Sequence, residues 1–384
     1  MKRGTRAVCF AVLILLLPAL CGCSALGTQY ERLESIRVVQ TLGVDGVESG
    51  LRLSLATAAG DRSGSDAICL SADGPTLSAA LNRAQSLSTE ETLFCGHIRQ
   101  LIVGERAALA PFLHYVARSP DLRLDSPLWL LRDSTAESLL SGAGSGNRGI
   151  TEILAAAEAE LDRRGDARAF TAGRILHDLQ QQGSALAAVL EYTAASEKPG
   201  SSTQRRNLPG TARTAALAGF AVVQEDRIRG YIKAEELLGV SLLRNTLRVE
   251  HLTLQDRNGG TAVLEIREGS SRLRPVWGED GSLRALEIQA HVVASLVEGD
   301  SGGYGDLYID DLTARMESAV SEQIRALLRR SKLLHSDFLG LGPMVERASP
   351  LRFHRLGMSF AELLPELEIS LTVKGSLQHE FDTK

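Results

Sequence analysis

Aromatic side chains are scarce in this 384-residue chain, at 4%. That disfavours a surface built to stack sugars or bases, since such recognition leans on aromatic faces. Lysine is nearly absent as well: six residues, so the cationic side chains are almost all arginine. The formal net charge is −5, the wrong sign for nucleic acid or for electrostatic adhesion to anionic lipid. The eight histidines are scattered. Long apolar runs are missing too, with one exception at the very start. Beyond residue 20 nothing approaches the roughly 18 uninterrupted apolar residues of a membrane span.

The exception organises the chain. Lys2, Arg3 and Arg6 form a basic head, Ala7–Leu20 carries no charge, and the run closes as Leu20-Cys21-Gly22-Cys23. A positive head, a short apolar core and a small-residue cleavage site make a secretory signal. Leu-x-Gly-Cys is in addition the lipoprotein box, whose cysteine takes a diacylglyceryl thioether before cleavage just ahead of it. Residues 1–22 are therefore expected to be removed and Cys23 to be lipidated. Removal takes three positive charges from the net −5, giving −8 over the remaining 362 residues. Two acyl chains, at about 0.8 kcal/mol per buried CH₂, hold a protein on a bilayer where one chain is marginal. The body is expected on the extracytoplasmic face. Three cysteines then remain: Cys23, Cys69 and Cys95. Outside the cytoplasm a Cys69–Cys95 disulfide is allowed, with two buried free thiols as the alternative.

In chain order, residues 23–34 read as the lipidated cysteine and its tether. Ile36–Val44 and Leu51–Leu55 alternate apolar and polar around Asp45-Gly46, a hairpin signature. Thr76 is placed to cap a helix whose Leu77, Ala80, Leu81, Ala84 and Leu87 share a face. A strand over His97–Val103, a helix near 105–117, a strand at Leu128–Leu131 and a short helix near 135–140 complete an α/β unit, 35–141. Ser141–Asn147 is a Gly/Ser linker. The middle unit, 148–243, holds helices at 150–163 and 171–182, a strand at 185–192, a polar loop at 196–211, a hairpin over 214–232 and a helix at 233–243. The C-terminal unit, 244–384, is β-rich over 247–255, 261–268 and 283–297. A glycine-rich joint at 299–305 leads to a long helix, 306–334, striped by Leu312, Met316, Val320, Ile324, Leu327 and Leu328. A strand over 367–373 ends it. The fold class is α/β (α+β): three units, each a mixed or antiparallel sheet with packed helices.

No chemistry assembles from these residues. Cys69, Cys95 and His97 lack a fourth partner at zinc spacing. Gly144-Ser145-Gly146 fails as a nucleophile elbow, and Gly340-Leu-Gly342 does not complete a dinucleotide fingerprint. Glu158/Glu160 and Glu235-Glu236 read as solvated helix faces. No catalytic residue, metal site or cofactor is expected.

Four blocks carry a resemblance. Tyr30–Asp45, Phe94–Glu105 running on to Arg132, Ala218–Val223 with Arg229–Gly239, and Asp337–Gly342 with the last strand to Gly375 stand in order behind the lipobox. The chain resembles the C-subunit lipoproteins of bacterial spore germinant receptors, the Ger(x)C family, along most of its mature length. One departure is Ser24-Ala25 after the cysteine, where the family commonly has Trp-Asp, so the tether is longer. The resemblance implies a three-domain, non-enzymatic subunit of a nutrient-sensing complex. It implies a place on the outer leaflet of the inner spore membrane, beside a transporter-like membrane subunit and a second membrane subunit. A solute-binding lipoprotein of a transport system is the alternative.

Overall fold

The structure is a computed structural model that describes residues 36–57, 68–89, 91–143, 150–165, 167–194, 213–299 and 306–378. The lipobox, Cys23, the tether, most of the Gly/Ser linker, the 196–211 loop and nearly all of the 299–305 joint lie outside these residues.

Strands β1 (Ile36–Val47) and β2 (Gly50–Thr57) form the expected antiparallel hairpin. β3 (Cys69–Gly74) adds to the outer side of β2. Helix α1 (Leu77–Leu87) begins where predicted: the Thr76 hydroxyl accepts from the Ala79 amide at 3.2 Å. Next come β4 (Thr92–Phe94), β5 (Gln100–Val103), α2 (Leu109–Arg118), β6 (Leu128–Arg132), α3 (Ala136–Ala143), α4 (Ile150–Arg164), α5 (Ala172–Gln182), β7 (Ser184–Ala194), β8 (Arg213–Gln224) and β9 (Arg227–Lys233). All nine strands belong to one sheet, in the order β3-β2-β1-β5-β6-β7-β8-β9, with β4 beside the start of β1.

β1, β5, β6 and β7 run parallel, and the flanking strands are antiparallel. Gln100–Val103 and Leu128–Leu131 are buried throughout. Strands covered on both faces read as continuous apolar runs, and these do. One face packs against α1, α2 and α5, the other against α3 and α4.

The second sheet is smaller: β10 (Glu250–Gln255), β11 (Thr261–Trp277), β12 (Leu283–Glu298) and β13 (Glu368–Gln378), in that order. Helix α6 (Leu237–Arg244) leads into it. Helices α7 (Asp306–Leu333) and α8 (Leu341–Ala348) separate β12 from β13. The α7 stripe is buried as expected: Leu312, Met316, Val320, Ile324 and Leu327 have no exposed surface. Each such side chain contributes about 1.5–3 kcal/mol. The antiparallel sheet expected here has one parallel pair, because α7 carries the chain back across the sheet so that β13 runs alongside β12.

Mixed α/β architecture is thus as expected, but the strands of the described residues form two sheets. Strands assigned to 35–141 and to 148–243 are hydrogen-bonded into one sheet across the Gly/Ser linker. Ser141–Ala143, the start of that linker, complete α3. A single apolar cluster runs from one face of the large sheet, through α6 and α7, into the small one.

Candidate functional site: the joint between the two sheets

Cys69 and Cys95 are both free. Cys69 pairs with Ala56 on β2, which lies beside β1, and Cys95 follows β4 on the far side of β1. Three strand spacings of about 4.8 Å separate them, well beyond the ~7 Å that a disulfide spans between Cα atoms. They also face opposite apolar clusters. The allowed disulfide is not made. Burial, with Asp121 nearby, pushes the Cys95 thiol up to about 11, and burial raises Cys69 too, so neither is a ready thiolate. His97 lies in the turn before β5, edge-on to Phe94 at 5.5 Å between ring centroids. Among the described residues no group of three or more His, Cys, Asp or Glu could hold a metal ion.

The acidic pairs are engaged rather than idle. Glu158 accepts from the Gln100 side chain at 2.8 Å, and Glu160 pairs with Arg163. Glu236 accepts from the Lys233 amide and from Arg330 on α7, each at 2.9 Å. The solvated-face reading of Glu236 is therefore corrected: it ties the last strand of the large sheet to the long helix.

Two of the sequence blocks prove to be built around buried aspartates that cap helices. Asp45, at the end of the first block, accepts from the Ala136 and Glu137 amides at 2.7 and 3.0 Å and so caps α3. A Cβ on Gly104 would collide with that carboxylate, so the glycine in the second block leaves its place to Asp45. Asp337, opening the fourth block, accepts from the Leu341 and Gly342 amides at 2.8 and 2.7 Å and caps α8. Gly340 between them has φ +77°, a conformation that suits glycine. Burial pushes the Asp337 carboxyl up to about 7, against the opposing pull of these amides and of Arg244.

Arg244, the last residue of α6, is the centre of the joint. Its guanidinium donates to the Phe338 carbonyl at 2.6 Å and lies 3.5 Å from Asp178 on α5. Asp178 also meets Arg174 at 3.0 Å. Burial pulls the Arg244 guanidinium below its ordinary pKa, opposed by Asp178 and Asp337. A second latch is Arg164 on α4, which bonds Glu250 on β10 at 2.6 Å and the Ala234 carbonyl at 2.7 Å. A third, Arg248 to Asp162 at 2.6 Å, borders an open cleft of about 400 Å³ lined also by Asp125, Glu158 and Arg168. Helices α6 and α7 touch closely at Gly239, where a Cβ would press on Leu327. None of these latches was visible in the sequence, because their contacts join residues 66 (244 − 178) to 94 positions apart.

Comparison with known proteins settles the kinship. Residues 29–192 match a family described as the spore germination protein N-terminal domain, and residues 218–380 match one described as spore germination B3/GerAC like, C-terminal. The chain belongs to the GerAC family of spore germination proteins. Its fold is similar to that in the crystal structure of the GerBC protein, with a TM-score of 0.56 at 13% identity, covering 88% of this chain and 97% of that one. No curated protein matches the chain. The boundary between the two GerAC regions falls inside the large sheet: the first match ends in β7 and the second begins in β8. The two family regions therefore share a sheet, zipped together along β7 and β8 from Ser184↔Gln224 to Ala194↔Arg213.

Proposed function

We propose that this spore germination protein is a lipid-anchored, non-enzymatic subunit of a nutrient germinant receptor, acting as a scaffold that couples membrane subunits. The observation carrying this reading is the shared sheet. β8 and β9 of the second family region complete the sheet of the first, and Arg244, Arg164 and Arg330 latch the small sheet and α7 onto it. A displacement imposed on one region is then transmitted to the other as a rigid-body movement. Cys23, through its diacylglyceryl group, anchors the body to the extracytoplasmic face of the membrane, the outer leaflet of the inner spore membrane. The partners are a transporter-like subunit and a second membrane subunit. Losing the protein should block nutrient-triggered germination.

The test is a tagged pull-down from detergent-solubilised spore membranes beside a Cys23→Ala control. Co-purification of two membrane subunits, weakened in the control, supports the reading; abundant membrane-bound protein without such partners overturns it. The alternative, a solute-binding lipoprotein, has the cleft bordered by Arg248 as its site. Its wall charges are already satisfied: Asp162 by Arg248, Glu158 by Gln100 and Asp125 by Arg123. A solute would have to displace these contacts, and a thermal shift with candidate nutrients reads that out directly.

A further inference from the structure

We infer that the corner of the large sheet where the chain enters it, presenting Phe94 and Leu87, rests on the surface of the lipid bilayer. The inference rests on the lipid anchor at Cys23 and adds an orientation to it. Residues 24–35 separate Cys23 from Ile36. Twelve residues reach at most ~42 Å when fully extended. The corner of the body that carries Ile36 is thus tied within that reach of the lipid.

That corner is rigid. Ile36, Arg37 and Val38 pair in parallel with Thr92, Leu93 and Phe94. The Arg37 guanidinium bonds Glu91. Gln85, near the end of α1, donates to the Glu91 carbonyl at 3.2 Å and accepts from the Leu93 amide at 2.8 Å. Ser88 donates to the same carbonyl at 2.9 Å. Held this way, the corner leaves two large apolar side chains in water: Phe94 is 43% exposed and Leu87 56%.

The surroundings suit an interface between acyl chains and phosphates. His97 lies edge-on to Phe94, Arg99 is exposed two residues further on, and exposed Arg83 stands one helical turn before Leu87. Of the acidic groups near this corner among the described residues, Glu91 is already bonded to Arg37, and exposed Asp121 lies near Cys95. An apolar tip with cations around it fits shallow insertion at headgroup depth. Two side chains are too few to bind lipid alone. They orient a body that the acyl chains already hold.

The experiment uses the full lipidated protein in phosphatidylethanolamine/phosphatidylglycerol vesicles whose acyl chains carry a bromine or nitroxide quencher. Phe94→Trp places a reporter in the corner, and Thr372→Trp places one on the exposed face of β13 as control. The parent protein, with Trp129 and Trp277, supplies the background. The expected result is at least twofold quenching of the added emission at position 94 and none at 372. Flotation with the vesicles but no quenching at 94, or equal quenching at both positions, overturns the orientation and gives the patch to a protein partner. Failure to float, with Cys23 lacking its lipid mass, overturns the anchor itself and the orientation with it.

Discussion

The nine-stranded sheet is packed on both faces, whereas the four-stranded sheet turns one face to α6 and α7 and the other to water. The difference is visible strand by strand. Gln100–Val103 in β5 is buried throughout, while β13 alternates between exposed and half-buried positions along its length, apart from buried Leu371. In a doubly covered strand every side chain is a packing residue. In a singly covered one, half are free to be chosen for something other than stability. The large sheet is thus expected to carry the fold, and the small sheet to present a surface.

The strongest way to break that contrast is to compare truncations at the two centres. Trp129 is buried in β6 and donates its indole N–H to Gln100 at 2.7 Å. Trp129→Ala is expected to cost about 3–5 kcal/mol, from the cavity and the stranded amide together. Leu371→Ala in β13 should cost about 2 kcal/mol, the low end for such a truncation. Denaturant midpoints measure both; equal losses would mean that the small sheet is as much a core as the large one.

The joint comes next. Arg244→Ala would leave buried Asp178 with only the half-exposed Arg174 and would take the nearby positive charge from Asp337, and removal of one partner from a buried charged pair costs up to about 3–5 kcal/mol. The pairing of Arg244→Met with Asp178→Leu should recover much of that loss. If Arg244→Ala instead unfolded the small sheet alone, in a separate transition, the latch would be local and the two-sheet body would not move as one. Calorimetry resolves one transition from two.

Much of this was readable from the sequence, for identifiable reasons. The Thr76 cap and the α7 stripe are local signals, set by neighbours within one or two turns. The short strands β3 and β4 were missed: Cys69-Leu-Ser-Ala-Asp-Gly74 is too polar to declare itself, and β4 has three residues. β11 runs on to Trp277, past the expected end at 268, because register shifts between Ile266 and Glu268 and between Val276 and Trp277 break the alternation. The direction of β13 and the joining of two units into one sheet depend on long-range pairing, which periodicity does not report. The aspartates of two blocks were visible as residues. Their roles as caps were not, since Asp45 and its amides lie 91 and 92 positions apart.

Asp337 sharpens the comparison through pH. Its folded-state pKa of about 7 lies above the ordinary 3.8, so the folded protein keeps a proton that the unfolded chain has released. The stability tied to that proton is full below about pH 4 and is lost as pH rises through 7. Asp337→Asn keeps an oxygen for the α8 amides and cannot ionise. The difference in stability between the variant and the parent should therefore shift in favour of the variant from pH 5 to pH 8. No shift over that range would mean that the amides of Leu341 and Gly342 hold the group ionised in the folded protein, with burial the weaker influence.

The smallest effect belongs to the open face of the small sheet. Arg272, Gln289 and Thr372 sit in one row across β11, β12 and β13, all three exposed. Arg272→Ala and Thr372→Ala should each change stability by no more than about 0.5 kcal/mol, because no buried partner or cavity is involved. That small number gives the pair its use. In a large-sheet variant such as Trp129→Ala, a germination defect follows from the loss of folded protein. A defect in Arg272→Ala or Thr372→Ala, with melting and protein level unchanged, would instead mean a lost contact, as expected if this sheet presents a surface. Destabilisation of more than 1 kcal/mol from either change would mean that the face is covered in the folded protein, and the contrast between the two sheets would fail there.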